Sequence, residues 1–498
     1  MTYEEKLQQY KDWIFRRSAY QMAMAIIGID KQTVAPLAGA AYRDERSAYL
    51  AGELFSIETD PAMVQLLKEL KDDPQIDGDN KRAIELYYKQ AMDTMCIPKE
   101  EFVAYQKLRD ESFDAWIKAK SQSDYSIFEP YLKKIIEVSK KMYRYRNSDK
   151  NLYDQMLDDY EPGMTQEKYD VFFTALKERL VPLIQKVTKA KQKNEAFLHQ
   201  EFPIEDQKKF MIQLLAYLHF DSSWGYQNES EHPFTSWTCE NDCRTTTKYV
   251  KNDVISAVLS TVHEVGHAYY EHNVDPKYDG MILSEGISSG MHESQSRLCE
   301  NYLARTTAFW KYHYPKLQET FPTQLGNVSI EEFYEAINVA KPSFVRTEAD
   351  ELTYPLHILV RYEIEKGLFN GIISTEGLNE TWNKMYKEYL GVDVPNDKVG
   401  ILQDVHWSDG SFGYFPTYAL GTAFAAQYMH AMRKDLDVDT LLSNNQYDVI
   451  MNWLKEHIHK YGFRYEAPEL MKKVSGEEFN VNYYLDYLEE KYTKLYNL

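Results

Sequence analysis

His263 and His267 stand four residues apart in the stretch STVHEVGHAYYEHN, Ser260–Asn273, with Glu264 between them. On a helix, side chains at i and i+4 lie one above the other, so both imidazoles can reach one ion. Glu264 is turned about 100° from His263, where it can border the ion without ligating it and serve as a general base. Zinc held by three protein ligands keeps one position for water and lowers the pKa of that water to about 7. The spacing therefore supports metal-assisted hydrolysis. The bland alternative is two surface histidines beside an ordinary glutamate.

A third ligand is expected from the next helix. Glu271 is one further turn along the first helix, too far along its axis to close the sphere, and reads as a supporting or surface residue. Pro276 lies past the helix end, and DPKYDGMILSEG turns the chain toward SSGMHESQSRLCENYLAR. That leaves Glu285, in the approach loop, and Glu293, inside the second helix. Position favours Glu293 but leaves Glu285 open, because Glu293 could instead pair with Arg297 four residues on. Gly286–Gly290, GISSG, matches a serine nucleophile elbow in letters. The buried strand and alternating strand–helix sheet that such an elbow needs are not visible, so the segment reads as a turn into a helix.

The elements that must position these residues are mostly helical. Asp253 is the expected N-cap of the histidine helix, and Val254, Val258, Leu259, Val262 and Gly266 supply its packing face. Asp60 with Pro61 marks another helix start. Apolar spacing of i, i+3, i+4 recurs through the first 220 or so residues. The texture changes at DSSWGYQNESEHPFTSWTCENDCRTTTKYV, which reads as two short strands around a polar turn in a small antiparallel sheet. Residues 391–421 form a second irregular stretch. The 498 residues read as one domain, with a helical N-terminal part of about 1–220 and a motif-bearing part of about 221–498. Glycine (21) and proline (17) are sparse, which favours long helices over a strand-and-turn fold.

The formal charge of -20 argues against nucleic acid and anionic membranes as partners. Four cysteines make no disulfide framework, and Cys239 and Cys243 are at i, i+4 rather than Cys-x-x-Cys. A reducing, cytoplasmic setting is expected. Tyr20–Ile29, YQMAMAIIGI, is too short to span a membrane and lacks a signal-peptide context; it reads as a buried helix end.

HEVGH and HESQS occur together with HPF (His232–Phe234), DCRTT (Asp242–Thr246), VRTEAD (Val345–Asp350) and GILQDVHW (Gly400–Trp407). In this set and order the chain resembles the carboxypeptidase Taq family of metallocarboxypeptidases. The matched motifs span residues 232–407; the first 220 residues agree in helical character only. The resemblance implies a mainly α fold with a deep groove and a small sheet beside the metal helix, often as a homodimer. It implies release of single residues from peptide C-termini with broad specificity, and zinc, or cobalt in some members. It also implies Glu293 as the third ligand.

The expected roles follow. His263, His267 and Glu293 hold the metal, and Glu264 is the base. His406 and Tyr418 are candidates to stabilise the oxyanion. The terminal carboxylate of a peptide needs a directional cation: Arg346 is preferred, with Arg244 as the second candidate. Either could be consumed by an internal ion pair, to Asp350 or Asp242 respectively. His232 is placed to align the peptide backbone, and Gln403 and Asp404 are read as structural. The rival functions are a metalloendopeptidase on the same scaffold and a non-catalytic peptide-binding protein. An aminopeptidase is disfavoured because no Gly-x-Met-Glu-Asn element is present.

Overall fold

The computed structural model describes all 498 residues, and helices dominate it. Local signals start them as expected. The Pro61–Lys71 helix begins with the Asp60 carboxylate accepting from the Ala62 N–H, and the Val254–His272 helix with Asp253 accepting from the Ser256 N–H. The main apolar core reaches from Ala119 to Tyr496. A smaller one joins Tyr10, Ile14, Leu67, Leu70 and Tyr87 of the N-terminal helices to Val274, Tyr278, Ile282 and Leu283. This second core therefore rests on the segment that links the histidine helix to the next one.

The run Tyr20–Ile29 is not a buried helix end. It lies within a 31-residue helix, Tyr3–Thr33, with Met22 47% and Ile26 38% exposed and only Ile29 buried. Ten mostly apolar residues wrap the whole circumference of a helix, and in this helix only Tyr10, Ile14, Arg17 and Ile29 are fully buried.

The small sheet is present but mixed rather than antiparallel throughout. It has three strands, β1 (Gly225–Glu229), β2 (Thr235–Trp237) and β3 (Cys243–Thr247), in the order β1-β3-β2. β2 and β3 form the expected hairpin, with Thr235 opposite Thr245 and Trp237 opposite Cys243. β1 pairs in parallel with β3, Gly225 beside Cys243 through Glu229 beside Thr247. The excursion through residues 230–242 carries the chain to the far side of β3 and back. This crossover is what lets β1 and β3 run in the same direction. β3 lies on the histidine helix, with the Thr247 hydroxyl 3.3 Å from the Ala257 carbonyl oxygen.

Two glycines let three helices meet backbone to backbone. A Cβ on Gly266 would stand 2.9 Å from Ser296 Cα, and one on Gly421 would stand 2.6 Å from the Gly290 carbonyl oxygen and 2.8 Å from Glu293 Cβ. The Ser289–Arg297 helix, which carries Glu293, is thus held between the Val254–His272 and Phe415–Asp435 helices. No helix is long and apolar enough to cross a membrane.

Candidate active site

The histidine helix and the Ser289–Arg297 helix bring His263, His267 and Glu293 together, with ligand atoms all within 4.8 Å of one another. Glu293 Oε2 lies 3.8 Å from His263 Nε2 and 3.5 Å from His267 Nε2. Both histidines thus offer the same nitrogen to one point. Two imidazoles and a carboxylate form the donor set of a three-ligand catalytic zinc site, and the side chains present fit such an ion. Burial pushes His267 down to about 3, so its ring is neutral at pH 7, as a ligand must be. Burial opposes ionisation of Glu293, but Arg297 and the two histidines hold its carboxyl far below the usual range.

Glu293 also accepts from Arg297 Nε at 2.6 Å. Ligand geometry and the i, i+4 ion pair coexist, because Oε1 serves one and Oε2 the other. Glu285 lies outside this cluster, along the first stretch of the same groove and 4.0 Å from Arg17 of the N-terminal helix. Ser288 of GISSG caps the Ser289–Arg297 helix, accepting from the Met291 N–H while its hydroxyl donates to Glu161. That capping role explains the letters without a nucleophile.

Two further acidic groups and one histidine back the candidate ligands. His263 Nδ1 is 2.9 Å from Glu300 Oε2, which also accepts from Arg297 Nη1 at 3.0 Å. Glu300 belongs to a π-helical turn, Leu298–Ala304, that continues the Glu293 helix. His267 Nδ1 is 2.6 Å from His292 Nδ1, and His292 Nε2 is 2.6 Å from Glu271 Oε1. Glu264 is buried, with Thr235 on β2 placed 2.6 Å from its Oε2. Burial raises its carboxyl above the ordinary value, while His263 and the Thr235 hydroxyl work in the other direction.

The triad lies where two lobes of a groove meet, with volumes of about 720 and 660 Å³. Pro233, His263, Glu264 and Tyr418 line both. The first lobe runs past Tyr160, Phe234, Thr235, Trp237, His292 and Tyr414; the second past Leu198, Leu259, Arg297, Lys341, Arg346 and Tyr354.

Arg346 is buried, with Nε and Nη2 at 3.1 and 2.9 Å from Asp404 Oδ1. Its ion-pair partner is therefore Asp404 rather than Asp350, which instead accepts from the N–H groups of Lys341, Leu352 and Thr353. Asp404 also receives Arg361 Nε at 2.7 Å, and Gln403 Oε1 accepts from the Arg346 main-chain N–H. Tyr418 packs its ring 5.0 Å from the Arg346 guanidinium. His406 lines neither lobe; it lies behind the site, its ring 5.6 Å from Tyr414 and 6.5 Å from Tyr418, its Nδ1 buried without a hydrogen-bond partner. Burial pushes His406 down to about 4.

The other two candidates stand apart. Arg244 is bidentate to Asp242, at 2.8 Å for both Nε and Nη2, and lines neither lobe. His232 is exposed and also lines neither, whereas the next three residues line the first lobe. Sequence reasoning missed Thr235, His292, Glu300 and Tyr414. Glu300 could have been found from the spacing Glu293, Arg297, Glu300, which puts three charged groups on one helix face.

The family description "Carboxypeptidase Taq (M32) metallopeptidase" matches residues 9–492. The chain belongs to this family. Among the relatives of this M32 chain is carboxypeptidase 1 of Bacillus subtilis, 41% identical over 500 residues and covering 100% of this chain and 99% of that one. Thermostable carboxypeptidase 1 of Thermus thermophilus is 34% identical, with 97% of each chain covered. The solved M32 carboxypeptidase from Deinococcus radiodurans superposes with a TM-score of 0.96 at 31% identity, over 99% of this chain and 100% of that one.

Proposed function

We propose that this M32 metallocarboxypeptidase is a zinc enzyme, with cobalt as the alternative ion, that releases single residues of broad type from peptides with a free C-terminus. One observation carries the reading. Arg346 lines the groove on one side of the ligand triad only, so a peptide whose carboxylate meets Arg346 leaves the rest of its chain to the other lobe.

An ion on His263, His267 and Glu293 would supply Lewis acidity at the scissile carbonyl and lower the pKa of a water in its open position. Glu264 takes a proton from the attacking water and passes it to the departing amine. Tyr418, on the wall shared by both lobes, donates to the carbonyl oxygen as charge develops there; His406 supports that ring from behind. Asp404 engages Nε and Nη2 of Arg346, and Nη1 makes only a long bond, 3.4 Å, to the Tyr354 hydroxyl, so Nη1 is the donor a substrate carboxylate would take over. β2 is an edge strand along the first lobe and offers main-chain groups to an extended peptide. Arg244 orders the hairpin through Asp242, and His232 precedes the peptide-facing stretch.

We also read the chain as one catalytic domain, as a homodimer, and as cytoplasmic, the last because its four cysteines are free. A second reading, a metalloendopeptidase, has one observation in its favour: the groove continues on both sides of the triad. Mass spectrometry of one peptide as free acid and as amide, with zinc or cobalt supplied, separates the two. A ladder from the acid alone is expected, and Arg346→Ala reduces it while Arg244→Ala does not blur the acid–amide distinction. Equal internal cleavage of both forms overturns the carboxypeptidase reading.

A further inference from the structure

The two histidine ligands are supported differently. His263 Nδ1 faces the Glu300 carboxylate directly, and Arg297 shares that carboxylate. His267 Nδ1 instead faces another imidazole, His292, whose far nitrogen meets Glu271. We propose that His292 and Glu271 are positioning residues that decide which nitrogen of His267 is free for the metal. This rests on the reading of His263, His267 and Glu293 as the metal site.

The argument is one of donors and acceptors. Two ring nitrogens 2.6 Å apart can share only one hydrogen. A metal ligand must present a lone pair, and His267 presents Nε2 toward Glu293. Its hydrogen therefore sits on Nδ1 and is donated to His292 Nδ1. His292 then carries its own hydrogen on Nε2 and donates it to Glu271. The reverse order would place a hydrogen on His267 Nε2 and close the ligand position. An ionised carboxylate at the far end accepts but cannot donate, and so favours the open order.

Glu271 is built for that end. It is 3% exposed, one helical turn beyond His267, and the His292 ring is the hydrogen-bond donor to its side chain; no arginine or lysine pairs with it. The His292 ring is fixed as well. Trp237 stacks on it at 5.6 Å, Tyr270 meets it edge-on at 5.2 Å, and a Cβ on Gly286 would come within 2.8 Å of His292 Cδ2. These contacts hold the ring where its two nitrogens meet His267 and Glu271.

The test is the zinc dissociation constant of the full-length enzyme, measured by competition with a chromogenic chelator, with the apo-protein melting temperature as a control. His292→Phe keeps a ring between Trp237 and Tyr270 but cannot accept. It should weaken zinc binding by roughly 10- to 100-fold and leave the apo melting temperature within a few degrees. His292→Gln retains an acceptor and a donor and should recover part of the loss. Glu271→Gln should weaken zinc alone, yet add nothing to His292→Phe, because the two act as one unit. Zinc binding by His292→Phe within twofold of the parent overturns the proposal, and so does a glutamine variant no better than phenylalanine. A parent enzyme that binds no zinc or cobalt would instead overturn the metal-site reading on which the proposal rests.

Discussion

The Thr235 hydroxyl oxygen lies 2.6 Å from Glu264 Oε2 and 2.9 Å from the main-chain oxygen of the same residue. One hydroxyl hydrogen can serve one of these acceptors at a time. Its position on β2, pinned by the hairpin to β3, ties the edge of the small sheet to Glu264, the proposed general base, on the adjoining helix. The sheet thus does more than floor the groove: it orients a carboxylate that burial would otherwise leave with few donors.

Thr235→Val preserves the shape and removes the donor. Turnover should fall roughly tenfold, about 1.4 kcal/mol, while bound metal stays at parent level by elemental analysis. A valine variant with full kcat would leave Thr235 as packing only.

The ligand set separates cleanly by dialysis. Glu293→Gln should lose tightly held metal, whereas Glu285→Gln, beside Arg17, should keep it. Glu264→Gln should keep metal and lose nearly all turnover. If Glu264→Gln sheds metal as readily as His263→Ala, the assignment of Glu264 as a base rather than a ligand is wrong.

Acid should destabilise the fold through histidines far from the groove. His313 is boxed by Phe210, Tyr217, Phe309 and Tyr312, its Nε2 has no hydrogen-bond partner, and burial pushes it down to about 3. The unfolded chain binds a proton at this residue below about 6.5 and the folded chain does not. Stability attributable to it is therefore intact above pH 6.5 and declines as pH falls toward 3, by about 2 kcal/mol at pH 5. Denaturant titrations from pH 7 to 5 should show a shallower loss for His313→Leu than for the parent. Parallel pH slopes would mean that His313 is not the responsible group.

Much of this site is legible in the sequence. Asp253 begins the histidine helix because a carboxylate satisfies free N–H groups wherever the chain enters a helix, and helix periodicity then stacks His263 on His267. The carboxylate proposed as third ligand, Glu293, needed the second helix, which HESQS marks. What could not be read is what depends on neighbours distant in sequence. His292 acquires a partner only when Gly266 lets the two helices close together. Asp404 rather than Asp350 claims Arg346 because the 400–407 loop folds back onto it. The apolar run Tyr20–Ile29 was misread for the same reason: periodicity describes a helix, but not how much of its surface another element covers. The pairing of β1 beside β3 also lay outside local signals, since strand direction is set by the path of the intervening chain.

The segment Val274–Leu283 joins the helix that carries His263 and His267 to the helix that carries Glu293, and it is also the floor of the small N-terminal core. Order in that segment is therefore common property of two distant parts of the molecule. The N-terminal helices bury few apolar side chains and form the unit expected to open first under native conditions. Opening them would free the link between the ligand helices, and an ion that binds only the closed arrangement must oppose the opening by mass action. Amide protons in helices that contribute no ligand, around Ile14 and Leu67, should then exchange more slowly when metal is bound. The reciprocal holds as well: stiffening the N-terminus would tighten the metal without touching its coordination sphere.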